Sequence, residues 1–486
     1  MAPGIISETT TDVVPPSKIE SSNVSNTASS SSYWAKHPKP SLFHRDLHSK
    51  PVVATSGSGH CLNLQNGSKI IDACGGAAVA ALGNGNEEIV AAMTEQAKSL
   101  AYVHTQIYTT QSAEDLADLL VGHRPGGLSK AFFVGSGSEA NDGAMKLARQ
   151  YFYEKGEHQR IHYIARRQSY HGNTFGSMSI SNNVPRLVPY VDILLPNVSH
   201  VSPCYAYQYS NPNETSAQYV ARLAAELEAE FQRIGPEKVI AFVAETIGGA
   251  TSGCIPPVPG YFPAVQEICR RHGALLILDE VMCGMGRTGT TFAWEQEEGI
   301  VPDILTIGKA LGAGYAPIAG ILVHQHIIST LSHGTGSFNH GQTYQQHPVS
   351  CAVALAVQRL IHRKNLIPHA AKMGRLLEST LKSKLGHLQF VGDIRGRGLF
   401  WAVEFVRDRE GRMPFKEEVR FGPRVQQEAF ELGVAVYPGH GTVDGRKGDH
   451  VLLAPPFDVT EEEIGVVVEV LVRAYERVVA SVVGEV

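Results

Sequence analysis

Short apolar runs alternate with segments of helical periodicity from about residue 112 onward. The runs read 131-AFFV-134, 161-IHYIA-165, 239-VIAFVA-244, 274-ALLIL-278 and 304-ILTI-307. Runs of this kind, separated by helices, are typical of buried strands in a parallel sheet. Nearly every run ends in a small or polar residue, and open α/β sheets bind ligands at the carboxyl ends of their strands. The pattern predicts an α/β fold with a mostly parallel central sheet and a site at that edge.

Two helices are predicted with particular clarity. After 135-GSGSEAND-142, one helical face carries the side chains of Ala140, Ala144, Leu147, Ala148 and Tyr151. Further on, Thr460 and Glu463 have the spacing of a capping box. The apolar positions that follow repeat with helical period: Ile464, Val467, Val468, Leu471, Val472 and Tyr475. We therefore expect a long helix after Thr460.

The remaining segments predict a second, smaller domain. Residues 33–84 and 346–486 have the pattern of shorter strands and helices, and we expect them to form an α+β domain built from both ends of the chain. Residues 85–345 would form the large domain. Residues 1–32 are rich in Ser and Thr and poor in large apolar residues, so we expect them to be disordered.

Composition and charge exclude several classes of function. Of the 486 residues, 43% are hydrophobic and 18% are charged, which is ordinary for a globular protein with sizeable cores. A net charge of −5 gives no reason to expect binding to nucleic acid or to an anionic membrane. No apolar run approaches the roughly 18–20 residues of a membrane helix, and no Cys/His motif predicts a metal site.

The cysteines and the N-terminal segment favour a cytoplasmic protein. The seven cysteines are scattered and lack a CxxC motif, which indicates reduced thiols rather than a disulfide framework. A mitochondrial presequence is less favoured, because residues 1–32 carry Glu8, Asp12 and Glu20 but only one Lys and no Arg.

One lysine stands in an unusual context. In 303-DILTIGKALGAGYAPIAG-320, Lys309 follows a predicted strand and lies between Gly308 and Ala310, with mostly small or apolar residues after it. A lysine with a structural role usually lies on a solvated face among other charges. Burial disfavours the ammonium form, so we expect the amine of Lys309 to be nucleophilic enough to form an imine.

Asp279 is expected to be a buried carboxylate, because it ends the apolar run 274-ALLIL-278. Burying a carboxylate is costly unless a cation or a hydrogen-bond donor pairs with it. Two interpretations stay open at this point. Asp279 either caps a helix or pairs with Arg287, or it holds a protonated ring nitrogen of a cofactor.

A glycine motif after Asp279 suggests a rival function. Gly284, Gly286 and Gly289 match the GxGxxG fingerprint of dinucleotide-binding proteins. In that fingerprint the glycines directly follow the first strand, and an acidic residue closes a second strand about 20 residues later. Here two acidic residues intervene and no strand follows in the right place, so a nucleotide-dependent oxidoreductase is a remote alternative.

Two further turns follow predicted strands. In 135-GSGSEAN-141, backbone N–H groups and hydroxyls at the start of a helix can bind a phosphate; the alternative is an ordinary turn with Ser138 as N-cap. In 169-SYHGNTFGS-177, Tyr170 can place its ring over a cofactor, or can lie in a surface turn. A phosphate-binding turn, a stacking aromatic, a buried Asp and a lone Lys at strand ends together suit pyridoxal 5′-phosphate.

These motifs resemble those of the class III (omega) aminotransferases, which are pyridoxal-phosphate enzymes of fold type I. The resemblance runs from about residue 34 to the C-terminus and is most specific in 275-LLILDEVMCGMGRTGTTFAWEQEEGIVPDILTIGKALGAG-314. Further matching motifs are SGSEAN, SYHGNT, 340-HGQTYQQHP-348 and 393-DIRGRGLF-400. The resemblance implies an enzyme that moves an amino group from an amine or omega-amino acid to a keto acid such as pyruvate, through the pyridoxal and pyridoxamine forms of the cofactor.

The resemblance also implies roles for individual residues. Lys309 would be the Schiff-base lysine and would later move a proton between the reacting carbons. Asp279 would pair with the pyridinium nitrogen, and Tyr170 and Val281 would lie on opposite faces of the ring. The other implied cofactor-binding residues are Ser136, Gly137 and Ser138 at the phosphate, His171, Glu245 beside the ring, and Thr343, which would reach the phosphate from the neighbouring subunit of a homodimer.

The substrate is less closely defined. Met282 stands where the 4-aminobutyrate and ornithine branches usually have Gln, and Leu452 where the ornithine branch has Arg, so the omega-amino acid or amine:pyruvate branch matches better. Arg446 would bind a keto-acid carboxylate from a mobile loop, or would be a solvated loop residue. Trp34 and Tyr108 are candidates for an aromatic pocket wall, or are core residues.

Two other kinds of protein stay open as alternatives. An enzyme of the same fold that catalyses decarboxylation-coupled transamination, racemisation or phosphate elimination from an amino-alcohol phosphate would need the same Lys309 and Asp279. A catalytically silent binding protein on this scaffold is a remote alternative, because both residues are retained.

Overall fold

The computed structural model describes residues 41–482. The predicted disorder of residues 1–32 and the candidate Trp34 lie outside the described residues. The strands, in chain order, are β1 (Ala54–Ser58), β2 (Cys61–Leu64), β3 (Lys69–Asp72), β4 (Leu128–Val134), β5 (His162–Arg166), β6 (Val198–Val201), β7 (Val239–Glu245), β8 (Leu275–Glu280), β9 (Ile304–Ile307), β10 (Ala319–His324), β11 (Val391–Arg397), β12 (Phe400–Phe405), β13 (Val434–Ala435), β14 (Tyr437–His440) and β15 (Asp449–Leu453).

Helices cover much of the rest of the described chain. The α-helical segments are Gly75–Ala78, Glu87–Ser99, Gln111–Val121, Gly137–Glu154, Phe175–Ile180, Val184–Leu187, Ala206–Tyr209, Ser216–Ile234, Tyr261–His272, Gln325–His333, Pro348–Arg363, Leu366–Leu385, Phe421–Glu431 and Glu461–Val482. Short 3-10 turns occur at Pro125–Gly127, Val188–Ile193, Pro236–Lys238, Ala293–Gln296, Lys309–Leu311 and Glu417–Val419. Within residues 41–482, none of these helices is long and apolar enough to cross a membrane.

A seven-stranded sheet in the order β4-β10-β9-β8-β7-β5-β6 forms the centre of the fold. The neighbours from β9 to β6 pair in parallel, whereas β10 is antiparallel to both β9 and β4. This confirms the predicted α/β class and mostly parallel sheet. All seven residues of β7 are buried because helices cover both faces of the sheet, which explains why its sequence is continuously apolar.

Two strands of this sheet were missing from the sequence prediction. β6 is an edge strand with polar Ser199 and His200, so it lacks a continuous apolar run. β10 begins in the small-residue stretch after Lys309, where Gly320 and its neighbours favour a loop. Its apolar run, 321-ILV-323, is only three residues long, and pairing on both sides with β4 and β9 extends the strand across the small residues.

The two ends of the described chain meet in smaller sheets. β13 pairs in parallel with β3 in the sheet β1-β2-β3-β13, and a second sheet has the order β11-β12-β15-β14. The backbone N–H of Ala454 donates to the carbonyl of Ala73 at 2.8 Å, which also joins the two ends. The limits of the small domain at residues 84 and 346 stay a prediction.

The predicted capping box at the last helix is confirmed. The Thr460 N–H donates to the Glu463 carboxylate at 2.8 Å, and the Glu463 N–H donates to the Thr460 hydroxyl at 3.1 Å. The helix Glu461–Val482 then buries the predicted apolar face against the core. The side chain of His60 contacts Glu463 at the N-terminal end of this helix.

His60 ties the β1–β2 turn to this helix. Its Nδ1 lies 2.8 Å from the Glu463 carboxylate and its Nε2 lies 3.0 Å from that of Asp458. The hydrogen bond to Asp458 raises the pKa of His60 above its ordinary value, against the opposing effect of burial. Burial opposes ionisation of Asp458 and Glu463, yet hydrogen bonds, including those from His60, hold both pKa values below the ordinary range.

The substitution His60→Gln should therefore destabilise the protein most at mildly acidic pH. A raised histidine pKa contributes stability that is complete below the unfolded value near pH 6.5 and is lost as pH rises through the folded value. The lowered pKa values of Asp458 and Glu463 contribute stability at pH values above the ordinary carboxyl pKa near 4. We expect the variant to be less stable than the wild type by about 1 kcal/mol at pH 6, and the gap in melting temperature to shrink by pH 9. His387→Gln, at an exposed histidine, is the control. If His60→Gln lowered the melting temperature equally at pH 6 and pH 9, the ionic contact of His60 would be contradicted.

Candidate active site

The carboxyl ends of four neighbouring strands open into one cavity of about 280 Å³. This volume is near the lower end of small-molecule pockets, which span roughly 300–1,000 Å³. Nine of the residues predicted from sequence line it: Ser136, Gly137, Ser138, Tyr170, His171, Glu245, Asp279, Val281 and Lys309. Their convergence follows from the shared direction of the strands that they end or follow: β5, β7, β8 and β9 are parallel neighbours. β4, which precedes Ser136, runs the same way because β10 is antiparallel to both β4 and β9.

The turn after β4 presents an anion-binding helix start. Ser136, not Ser138, is the N-cap: its hydroxyl accepts the N–H of Glu139 at 3.3 Å, and the Glu139 carboxylate accepts the N–H of Gly135 at 2.7 Å. The N–H groups of Gly137 and Ser138 find no acceptor among the described residues. The positive end of an 18-residue helix and two free donors therefore face the cavity.

Two glycines permit close approaches around this turn. A Cβ on Gly137 would lie 2.7 Å from Cγ1 of Val281, and a Cβ on Gly172 would lie 2.5 Å from the Ser138 hydroxyl. Gly172 also has a φ of 142°, which larger residues rarely adopt. Larger side chains here would push Val281 or Ser138 into the space that a ligand would need.

Asp279 is buried at the end of β8, with 4% of its surface exposed. Its Oδ1 accepts the backbone N–H of Val281 at 2.9 Å. Its Oδ2 lies 2.8 Å from Nδ1 of His171 and accepts the side-chain amide of Asn141 at 2.9 Å. The alternative pairing with Arg287 is wrong, since that guanidinium donates to backbone carbonyls elsewhere.

The support of Asp279 by Asn141 was missed in the sequence. Asn141 is 1% exposed, and its amide also donates to the carbonyl of His171 at 2.8 Å while its oxygen accepts the Thr306 hydroxyl at 3.1 Å. Thr306 on β9 lies in register with Asp279 on β8. The sequence did contain a signal for this role, because Asn141 is a polar residue on the otherwise apolar helix face that includes Ala140.

Lys309 follows β9 after one intervening residue, Gly308; it has a φ of 45°, and its side chain lines the cavity. Positive φ is uncommon outside glycine and marks a position held by its surroundings. Burial lowers the pKa of Lys309 from its ordinary value, while the charges of Asp279 and Glu245 oppose that shift. The neutral, nucleophilic amine is therefore more accessible here than on a solvated lysine.

Glu245 ends β7 in register with Asp279. Its carboxylate accepts the N–H of Gly249 at 2.8 Å and the N–H of Tyr170 at 3.4 Å. Burial raises the pKa of Glu245, with opposition from the charge of His171 and support from that of Asp279. Glu245 thus fixes the backbone of Tyr170 and places a second carboxyl group in the cavity.

Three predicted residues lie away from this cavity. Thr343, Tyr108 and Arg446 are exposed and none of them lines it. The glycines of the dinucleotide-like motif also lie elsewhere: a Cβ on Gly286 or Gly289 would meet Phe457 or Ala371, respectively. Their positive φ values and close packing against the C-terminal part of the chain explain this glycine spacing without a nucleotide.

The donor set fits pyridoxal 5′-phosphate. Free N–H groups at a helix start can hold its phosphate, a buried carboxylate can hold its protonated ring nitrogen, and an amine with lowered pKa can react with its carbonyl carbon. Tyr170 and Val281 border the space between them. These groups come from separate elements that the central sheet brings together.

Comparison with known proteins gives a consistent result. The family model for class III aminotransferases matches residues 43–475. An uncharacterized aminotransferase of Schizosaccharomyces pombe is 45% identical over 458 residues, covering 94% of this chain and 100% of the relative. Gamma aminobutyrate transaminase 3 of Solanum lycopersicum is 36% identical over 427 residues, covering 85% of this chain and 78% of the relative.

Solved structures agree in fold. The crystal structure of an omega transaminase from Pseudomonas jessenii, in complex with PMP, superposes with a TM-score of 0.83 at 35% identity and covers 89% of this chain and 94% of its own. This supports fold type I and, with the family match, an aminotransferase activity. The chain therefore belongs to the class III aminotransferases, enzymes that use pyridoxal 5′-phosphate.

Proposed function

We propose that this enzyme moves the amino group of an amine or omega-amino acid to a keto acid such as pyruvate, with Lys309 as its Schiff-base lysine. The observation that carries the proposal is the shared cavity of Lys309 and Asp279, in which burial favours the neutral amine. The free N–H groups at Gly137 and Ser138 supply a place for the cofactor phosphate.

The residues of the cavity have distinct roles in this reaction. When bound, pyridoxal phosphate acts as an electron sink that makes the proton on the substrate carbon removable. Lys309 Nζ would take that proton and return it to the neighbouring carbon, a task suited to an amine whose pKa burial lowers from its ordinary value. The Asp279 carboxylate would pair with the ring nitrogen, and its three hydrogen bonds fix its direction.

Tyr170 and Val281 would form the two walls that orient the ring. The backbone of Tyr170 is held by Glu245, and Val281 is held by Asp279 through its own N–H. Both walls are therefore fixed by carboxyl groups of the same site. This arrangement restricts the reacting atoms to one geometry, from which enzymes gain much of their rate.

The lining of the cavity favours an amine donor with an apolar substituent. Ile247, Ala250, Met282 and Ile318 contribute apolar surface. Met282 is 8% exposed and stands where other branches carry an amide. An apolar wall accepts hydrocarbon chains or rings and penalises unpaired polar groups.

The test is a donor panel with pyruvate as acceptor. Holoenzyme is incubated with beta-alanine, 4-aminobutyrate or 1-phenylethylamine, and alanine is measured together with the carbonyl product. Equal amounts of alanine and carbonyl product support transamination. Carbon dioxide release, racemisation of the donor or phosphate release without alanine would support the alternative chemistries instead, and absence of all of them would contradict an enzymatic role.

We also propose a homodimer in which Thr343 contacts the cofactor phosphate of the partner subunit. Thr343 is exposed, and an apolar surface lies beside it, formed by Leu100, Tyr102, Ile107, Tyr108 and Tyr344. The Tyr102 and Tyr344 rings are 6.1 Å apart, and Gln345 donates to Thr105 at 2.8 Å, which joins these segments. Exposed apolar surface of this kind is typical of a protein interface.

The variant Thr343→Ala should retain its cofactor less well. Loss of one hydrogen bond to a charged phosphate weakens binding by about tenfold or more. Dialysis against cofactor-free buffer, followed by absorbance, measures the cofactor that remains. Thr94→Ala, at an exposed helical threonine that donates only to its own helix, is the control. If both variants retained the same amount of cofactor, the proposed contact of Thr343 with the phosphate would be contradicted.

We propose a cytoplasmic location. All seven cysteines are free thiols, most of them buried, as is usual in a reducing compartment. Fractionation of cells that express the full chain tests this, and recovery in mitochondria would contradict it.

A further inference from the structure

A half-buried arginine lies against Tyr170, which lines the cavity, and makes no ion pair with another described residue. Arg186 belongs to the short helix Val184–Leu187, and its guanidinium lies 4.8 Å from the centroid of the Tyr170 ring. Within residues 41–482 it makes no ion pair and its guanidinium donates no hydrogen bond. The contact with Tyr170 holds the cation next to a residue that lines the cavity.

The cavity itself offers little positive charge to a substrate. Apart from Lys309 and the fully buried His171, its described lining carries no basic side chain. Two carboxyl groups, Asp279 and Glu245, face the same space. A keto acid enters with a carboxylate of its own, and apart from Lys309 and His171 no basic side chain of the described lining is there to pair with it.

We infer that Arg186 binds the substrate carboxylate and so determines the preference of the enzyme for its keto-acid and amino-acid partners. Arginine suits this role because its planar guanidinium pairs with a carboxylate through two parallel hydrogen bonds. The inference rests on the proposed aminotransferase reaction and names a residue outside the motifs that carried the family resemblance.

The position of Arg186 agrees with this role. Burial is the main cause that lowers the pKa of Lys309, and the charge of Arg186 adds a smaller effect in the same direction, which places the guanidinium near the reacting centre. Its own helix also packs against the loop that carries Arg446, because a Cβ on Gly445 would lie only 2.6 Å from Cγ2 of Val184. Arg446 is the exposed alternative from that loop, and the two arginines can be compared directly.

The experiment separates the two halves of the reaction in Arg186→Met. Holoenzyme is first mixed with 1-phenylethylamine, which has no carboxylate, and the aminated enzyme is then mixed with pyruvate, each followed by absorbance. We expect the pyruvate concentration for half-maximal rate to rise by about 10- to 100-fold, while the 1-phenylethylamine half-reaction keeps its rate. Arg186→Lys should retain part of the pyruvate binding, since it keeps the charge but loses the bidentate geometry.

A second readout does not depend on turnover. Propionate, an unreactive carboxylate, is titrated calorimetrically into wild-type holoenzyme and into Arg186→Met, with Arg375→Met as a control at an exposed arginine of another helix. We expect the propionate affinity to fall only in Arg186→Met. If the wild type were inactive with every amine, the proposed function would be contradicted. The propionate titration would still test whether Arg186 binds a carboxylate.

Three results would overturn the inference. Arg186→Met could bind pyruvate and propionate as tightly as the wild type does. Both half-reactions could slow equally, which would mean that Arg186 only holds Tyr170 in place. The defect could instead appear only in Arg446→Met, which would assign the carboxylate to the loop arginine.

Discussion

Lys309→Ala is expected to lose at least about 1,000-fold in turnover while the protein stays folded. The substitution removes the Nζ group that would bind the cofactor and move the substrate proton. No other lysine is among the described residues that line the cavity, so no second amine is in place to substitute for it. The fold should persist because β9 is held on both sides by β8 and β10, and an alanine keeps the backbone hydrogen bonds.

Alanine formation from pyruvate measures this loss, and circular dichroism checks the fold. Lys364→Ala is the control, because Lys364 follows the helix Pro348–Arg363, well away from the cavity lining. Added methylamine should restore part of the activity of Lys309→Ala, since a small free amine can occupy the vacated space and accept the proton. Wild-type turnover in Lys309→Ala would contradict the assignment of Lys309 as the Schiff-base lysine.

Asp279→Asn is expected to slow the reaction by about 100- to 10,000-fold. The neutral amide cannot hold a proton on the ring nitrogen, so the electron sink weakens. It also places an NH₂ group against a hydrogen-bond donor in either orientation: Val281 N–H at the Oδ1 position, or the nitrogens of Asn141 and His171 at the Oδ2 position. At least one of these buried donors then loses its acceptor, which is costly.

The control for Asp279→Asn is Asp303→Asn, because Asp303 lies at the amino ends of the strands, away from the cavity. Asp303 accepts the N–H of Leu276 at 2.7 Å at the start of β9, and burial raises its pKa to about 6. Its substitution should affect stability but not the rate of the folded enzyme. A loss of only a few-fold in Asp279→Asn, similar to that in Asp303→Asn, would reduce Asp279 to a structural carboxylate.

Local patterns were sufficient to place the two central residues. Lys309 and Asp279 directly end or follow continuous apolar runs, and parallel strands bring such ends to one edge. The helix start after β4 was predictable for the same reason, with Ser136 as its N-cap, and its role at the cofactor phosphate stays a prediction. These features depend on short stretches of sequence and on the general geometry of a parallel sheet.

Features that depend on distant contacts were not predictable. Asn141 supports Asp279 although 138 positions separate them in the sequence. Arg186 lies in a helix of four residues, too short to have a periodic pattern, and only the folded chain brings it to Tyr170. β10 likewise depends on its pairing with β4 and β9, not on its own small residues.

The most direct test of the account locates the cofactor on the chain. Holoenzyme is reduced with borohydride, which fixes the bond between a lysine and the cofactor, and is then digested and mapped by mass spectrometry. We expect the cofactor to be attached to the peptide that contains Lys309, and Lys309→Ala to carry none. Attachment to a different lysine, or a wild type that binds pyridoxal phosphate without any such bond, would contradict the assignment of Lys309 as the Schiff-base lysine.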